Sequence, residues 1–224
     1  MDPLSLLVLI GGVLAGSAVA TKPPEPSGWS YGVRTPDMIE LISRVVPGAL
    51  VFDLGAGTEL VDSHIAIELG ADRVIAIDKS RMIEPRDTRI ERLGDRYSIY
   101  NESLIRDAGE AKARGQRVVS IVSWPNNNER SEREIFQILD ASDFVIYRGH
   151  NFSGTACGFS DLYRYFLERP VQAVIEHPSN TMIVYGPQGV RTMPPIPEEL
   201  AGLMNSQGSG VIEFQDRNGL PGNH

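Results

Sequence analysis

The stretch Val51-Phe52-Asp53-Leu54-Gly55-Ala56-Gly57-Thr58-Glu59 leaves this chain few choices of fold. An apolar run from Ala49 to Leu54 stops at two glycines. Helical periodicity then begins at Leu60 and closes at Gly70. A second apolar run, Arg73 to Ile77, follows and ends on Asp78. Strand, glycine turn, helix and strand in this order demand a parallel pair with a crossover helix. Glycines at such a turn let backbone amides approach a ligand closely, and a carboxylate ending the next strand can accept hydrogen bonds from two ribose hydroxyls. The pattern therefore points to nucleoside binding, with a merely tight turn at Gly55 and Gly57 as the plainer alternative.

The rest of the chain extends the alternation. Met38, Ile39, Leu41, Ile42 and Val45 recur at helical spacing, which predicts a helix over Pro36 to Val46. Residues 81–96 are polar and broken by Pro85, and no helix is assigned there. Strands are predicted at Tyr97 to Tyr100, Val118 to Val122 and Asp143 to Tyr147, and helices at Leu104 to Ala113, Glu132 to Leu139 and Leu162 to Leu167. Val171 to Ile175 and Thr181 to Tyr185 are β-rich and joined by His177-Pro178-Ser179-Asn180, so they pair antiparallel. The expected fold is α/β, a Rossmann-like sheet of seven strands, mostly parallel, with a terminal antiparallel hairpin and a hydrophobic N-terminal helix before it.

At this point the sequence resembles the class I S-adenosylmethionine (SAM) dependent methyltransferases, whose first motif is an acidic residue followed by Gly-x-Gly and whose next strand ends in an acid. The resemblance covers roughly Tyr31 to Gly186 and implies SAM as cofactor. It implies that Asp53 orients the loop and the amino-acid end of SAM, that Gly55 and Gly57 pass beneath it, that Asp78 holds the ribose, and that Asn101 and Glu102 lie where adenine is contacted. Tyr31, in Tyr31-Gly32-Val33-Arg34-Thr35-Pro36, either closes over the methionine part or covers the first helix. Glu59 departs from the pattern, which usually has a third glycine there.

The fourth strand runs into Ser123-Trp124-Pro125-Asn126, where amino-methylating relatives carry a polar residue, prolines and an aromatic. Such a loop aligns an acceptor nitrogen with the methyl group; the other reading is a Trp124 that caps the sheet. His150 leaves the fifth strand at the same edge, as a general base or as a structural histidine. The four histidines and single cysteine show no metal-ligand spacing, so no metal is expected. The function expected is methyl transfer to nitrogen of a small molecule or protein. The alternatives are a catalytically degenerate binding module and a nicotinamide-dependent oxidoreductase; the latter is disfavoured because its fingerprint needs a small residue at Leu60.

A net charge of −8 argues against nonspecific nucleic-acid binding, so no nucleic-acid partner is expected. From Pro3 to Ala20 no residue is charged. At about 1.5 Å per residue this run lies near the lower limit for crossing about 30 Å of hydrocarbon. A membrane anchor is one reading and a signal peptide ending at Ala18-Val19-Ala20 is the other. Lys22 and Arg34 follow the segment and favour a cytoplasmic domain, with a soluble or exported protein as the alternative. The expected organisation is an anchor or signal at 1–21, a Pro-rich linker at 22–30, a methyltransferase domain at 31–190 and a C-terminal extension at 191–224.

Overall fold

A computed structural model of the chain describes residues 34–79, 81–94, 97–125, 135–149, 162, 165–166, 168–177 and 180–187. The first helix, α1 (Pro36–Val45), begins where Thr35 Oγ1 accepts the Met38 N–H at 3.3 Å and Pro36 occupies a position that needs no donor. Asp37 in the first turn and Arg44 in the last both complement the helix dipole. Chain order continues β1 (Leu50–Leu54), α2 (Val61–Glu68), β2 (Arg73–Asp78), β3 (Ile90–Gly94), α3 (Tyr97–Ala113), β4 (Val118–Ser123), α4 (Ile135–Ala141), β5 (Phe144–Gly149), β6 (Val171–His177) and β7 (Asn180–Tyr185).

The seven strands form one sheet in the order β3-β2-β1-β4-β5-β7-β6. All neighbours from β3 to β5 are parallel, whereas β7 runs antiparallel to both β5 and β6. Each face of the sheet is covered. Val51, Val119, Ile121, Ile146 and Val184 pack with Met38, Leu41 and Ile42 of α1 and with Ile65 and Ala66 of α2. Phe52, Leu54, Ile75, Val122 and Tyr147 face Leu104, Ala108 and Ala111 of α3 and Ile138 and Leu139 of α4. Phe166, whose backbone is helical like that of Leu162 and Tyr165, stacks on Tyr185 at 4.6 Å between centroids and meets Tyr147 edge-on at 5.4 Å.

The predicted hairpin and parallel sheet are therefore present. The third strand was expected at Tyr97 to Tyr100, and there the structure differs. Residues 97–100 form the first turn of the 17-residue α3, and β3 lies earlier, in the polar run. Residues Ile90 to Gly94 form an edge strand with one lateral neighbour, β2. Ile90 is buried but Glu91 is exposed, so the strand lacks the apolar signature of its buried neighbours. The β propensity of residues 97–100 yields to the apolar spacing of Leu104, Ala108 and Ala111, which commits the whole segment to a helix.

No helix among the described residues is long and apolar enough to cross a membrane. The proposed anchor or signal, residues 1–21, lies outside the described residues, as do Tyr31, Asn126, His150 and the tail beyond Pro187.

Candidate active site at the carboxyl edge

The parallel strands direct their carboxyl ends to one edge, and β1 supplies its centre. Gly55 has φ +87° and Gly57 φ +69°, the left-handed region that glycine enters without penalty. At Gly55 the absence of a side chain is obligatory, because a Cβ would sit 2.5 Å from the Ser123 backbone oxygen on β4. Gly55 N–H also donates to Ile77 O at 2.9 Å, so the turn is pinned between β2 and β4. Gly57 N–H donates to Asp78 Oδ2 at 2.8 Å, joining the glycine turn directly to the carboxylate that ends β2. The segment after β2 returns over the turn, where Ile83 N–H meets Thr58 O at 2.9 Å.

Glu59, which stands in place of a third glycine, is exposed and carries no left-handed backbone. The strained position is the next one. Leu60, fully buried at the N-cap of α2, has φ +54°, a conformation that costs a non-glycine residue about 1–2 kcal/mol. Trp124, immediately after β4, has φ +52°, and its N–H donates to Arg148 O at 2.8 Å. Strain of this kind concentrates at ligand-binding and catalytic loops.

Beneath this edge, on the face packed by α1 and α2, lies a buried set of charges. Asp62 in the first turn of α2 accepts Arg34 Nε at 2.6 Å, Arg148 Nη2 at 2.6 Å and Ser123 Oγ at 3.0 Å. Burial alone would raise its pKa, but Arg148 and Arg34 outweigh that effect and hold the carboxyl well below the usual range. Asp53 on β1 has no exposed surface; Ser63 Oγ donates to its Oδ2 at 2.6 Å, and its Oδ1 has no partner among the described residues. Burial first, and the Asp62 charge second, push Asp53 up to about 7. Arg148 is 3% exposed, and its Nε and Nη1 likewise have no partner among the described residues. Burial pushes its pKa down to about 10 in spite of Asp62.

The Asp53 shift has a signed consequence. A carboxyl whose folded-state pKa exceeds its unfolded value stabilises the fold fully at low pH and loses that contribution as pH rises through about 7. Asp62 shifts the opposite way, so its own window lies below its ordinary value of 3.8. His64 is held below its usual range by burial, which opposes the Asp53 trend, so the variant difference is the clean measure. Between pH 5 and 8, Asp53→Asn should gain thermal stability relative to the wild type. A constant difference in melting temperature across that range would refute the assignment.

Of the residues singled out from sequence, Asp53, Gly55, Gly57, Asp78, Ser123, Trp124 and Pro125 lie on or directly after β1, β2 and β4 at this edge. Asn101 and Glu102 do not follow a strand. They belong to the second turn of α3, where Asn101 Nδ2 donates to Gln137 Oε1 at 2.6 Å and Glu102 is exposed. Arg34, Asp62, Ser63 and Arg148 escaped the sequence reading. The one signal was Arg148, a charge ending the otherwise apolar strand β5. Among the described residues no cluster of three metal-ligating side chains occurs.

The arrangement fits an adenosine cofactor with an amino-acid tail. It offers a glycine turn free of side chains, a carboxylate at the end of β2, and buried unpartnered atoms of both signs at Asp53 Oδ1 and Arg148. No family model matches the chain, and no curated protein matches it. Solved structures do resemble it. A candidate RNA methyltransferase from Pyrococcus horikoshii is 19% identical with a TM-score of 0.47, covering 79% of this chain and 96% of its own. An rRNA methylase from Streptococcus thermophilus is 12% identical (TM-score 0.45, 69% of this chain and 98% of its own). A candidate methyltransferase from Streptococcus mutans in complex with S-adenosylhomocysteine is 9% identical (TM-score 0.45, 69% and 99%). The first two are described as acting on RNA, which runs against the expectation of no nucleic-acid partner. A whole-chain charge of −8 sums over every surface, whereas recognition of phosphates depends on the face presented. The strand order with its reversed β7, and the glycine turn between β1 and α2 facing a carboxylate on β2, are those of the class I methyltransferase fold.

Proposed function

We propose that the protein transfers a methyl group from SAM to an acceptor nitrogen. The observation that carries this reading is the hydrogen bond from Gly57 N–H to Asp78 Oδ2, which brings the glycine turn and the β2 carboxylate together at the sheet edge where open α/β folds bind ligands. SAM supplies an electrophilic methyl group on a sulfonium. Asp78 accepts hydrogen bonds from the ribose hydroxyls, and Asp53, fixed by Ser63, faces the ammonium of the amino-acid end. Ser123 and Trp124, with Pro125 directly after them, form the acceptor wall on the β4 side. The indole face of Trp124 attracts positive charge, and its strained backbone is held by the bond to Arg148 O. Methyl transfer to a neutral amine needs mainly alignment and exclusion of water, so no strong base is required.

Calorimetric titration with S-adenosylhomocysteine and NAD tests the reading. The protein should bind the first and not the second, and Asp78→Ala should weaken binding by about 1–3 kcal/mol through loss of a charged acceptor. Trp124→Ala should leave that affinity within a few-fold while lowering turnover on a panel of amine and RNA acceptors. Binding without turnover on any acceptor would support a degenerate binding module instead. Absence of S-adenosylhomocysteine binding would end the proposal.

A further inference from the structure

We propose that Arg148 is the anion receptor of this site and takes a carboxylate carried by the bound ligand. Two of its three guanidinium nitrogens, Nε and Nη1, have no hydrogen-bond partner among the described residues although the side chain is 3% exposed. Donors of a charged group are seldom left unmet in a protein interior, and an unmet one marks the place of a missing ligand group. The third nitrogen, Nη2, is tied to Asp62 Oδ2 at 2.6 Å, and Asp62 is itself fixed by Arg34 and Ser123. The guanidinium is thus oriented before any ligand arrives, which lowers the entropic cost of capture.

Charge balance identifies the sign of the missing group. Arg34 and Arg148 bring two positive charges, and Asp62 brings one negative charge held firmly ionised. Asp53, the remaining carboxyl of the cluster, is driven toward its neutral form by burial and by Asp62. The cluster is therefore short of one negative charge. A carboxylate matches a guanidinium in shape and brings two oxygens able to accept several N–H bonds. An ammonium on the same ligand would meet the unpartnered Asp53 Oδ1 and restore that group's charge. Two sources offer this chemistry: the amino-acid end of the cofactor and a carboxylate-bearing acceptor. Only the first rests on the methyltransferase reading.

The test uses the full chain and its Arg148→Met and Arg148→Lys variants; Arg148→Lys keeps a cation beside Asp62 and guards against a folding failure. Three nucleosides are titrated: S-adenosylhomocysteine, its decarboxylated aminopropyl analogue, and methylthioadenosine. In a second arm, acetate, succinate and inorganic phosphate are assayed for thermal stabilisation at fixed ionic strength. If the cofactor is the source, the wild type favours S-adenosylhomocysteine over the decarboxylated analogue by about 10- to 100-fold. Both variants then lose most of that preference while binding methylthioadenosine within about 3-fold of the wild type. If an acceptor is the source, the wild type shows no such preference, but acetate or succinate raises its melting temperature and not that of the variants. The proposal is overturned if folded variants keep the preference, if they lose affinity for all three nucleosides equally, or if the wild type shows neither the preference nor stabilisation by a small anion through Arg148. Failure of the wild type to bind any nucleoside sinks the methyltransferase reading alone, because the carboxylate arm still decides the role of Arg148.

Discussion

Gly55→Ala is expected to destabilise the protein by about 2–4 kcal/mol and to lower affinity for S-adenosylhomocysteine at least tenfold. Two independent penalties coincide at this residue. An alanine at φ +87° enters the left-handed region, which alone costs about 1–2 kcal/mol. Its methyl carbon would also lie 2.5 Å from the Ser123 backbone oxygen, and backbone cannot rotate away as a long side chain can. Either the end of β4 or the glycine turn must therefore move. Moving the turn pulls Gly57 N–H off Asp78, which is why binding should suffer along with stability. Gly115→Ala is the matched control, with a similar φ of +73° and no atom within 4 Å of the added Cβ. It should show the backbone penalty without the binding loss. Equal effects of the two substitutions would show that the close approach to Ser123 is unimportant.

Asp62→Ala should be more damaging, with a loss of about 3–5 kcal/mol, since removing one member of a buried charge set leaves the others desolvated and uncompensated. Here the stranded groups are two guanidiniums, Arg34 and Arg148, each within 2.6 Å of the deleted carboxylate. Ser123→Ala deletes a single hydrogen bond to the same carboxylate and should cost about 1 kcal/mol. In the double variant Asp62→Ala, Arg148→Met the loss should be smaller than in Asp62→Ala alone, because one of the stranded charges is gone. Urea denaturation of the four proteins measures all of this. A double variant less stable than Asp62→Ala would place the energy in packing rather than in charge.

The sheet was legible in sequence where strands are buried on both faces, as β1, β2, β4 and β5 are, because such strands read as unbroken apolar runs ended by glycine or a charge. The positions of the candidate site residues on those strands were legible for the same reason: Asp53, the two glycines, Asp78 and Ser123 all sit at or beside run ends. The edge strand β3 was not, since half of it faces solvent and its polarity matches that of a loop. The placement of Asn101 and Glu102 just after a strand differed with it, because both were counted from a strand that the helix α3 absorbs. The buried charge set was illegible for a different reason. Its pairs join residues 28 and 61 positions apart, and no local period relates them. An arginine before a helix and an aspartate inside one look like ordinary surface residues until the sheet brings them under the same edge.

The reversed strand β7 has a bearing on how the molecule is made. It occupies the place between β5 and β6, yet it is the last of the described strands to leave the ribosome. Until residues 180–185 emerge, β5 has no neighbour on its outer side, and β6 cannot join the sheet except through the strand that comes after it. The nascent chain thus carries an open row of unpaired N–H and C=O groups along Phe144 to Gly149, the kind of edge that recruits strands from other chains. Arg148 lies in that row, opposite Met182. The strand that carries Arg148 is therefore paired on both sides only once residues 180–185 are made, and until then the sheet stays open beside the buried charges.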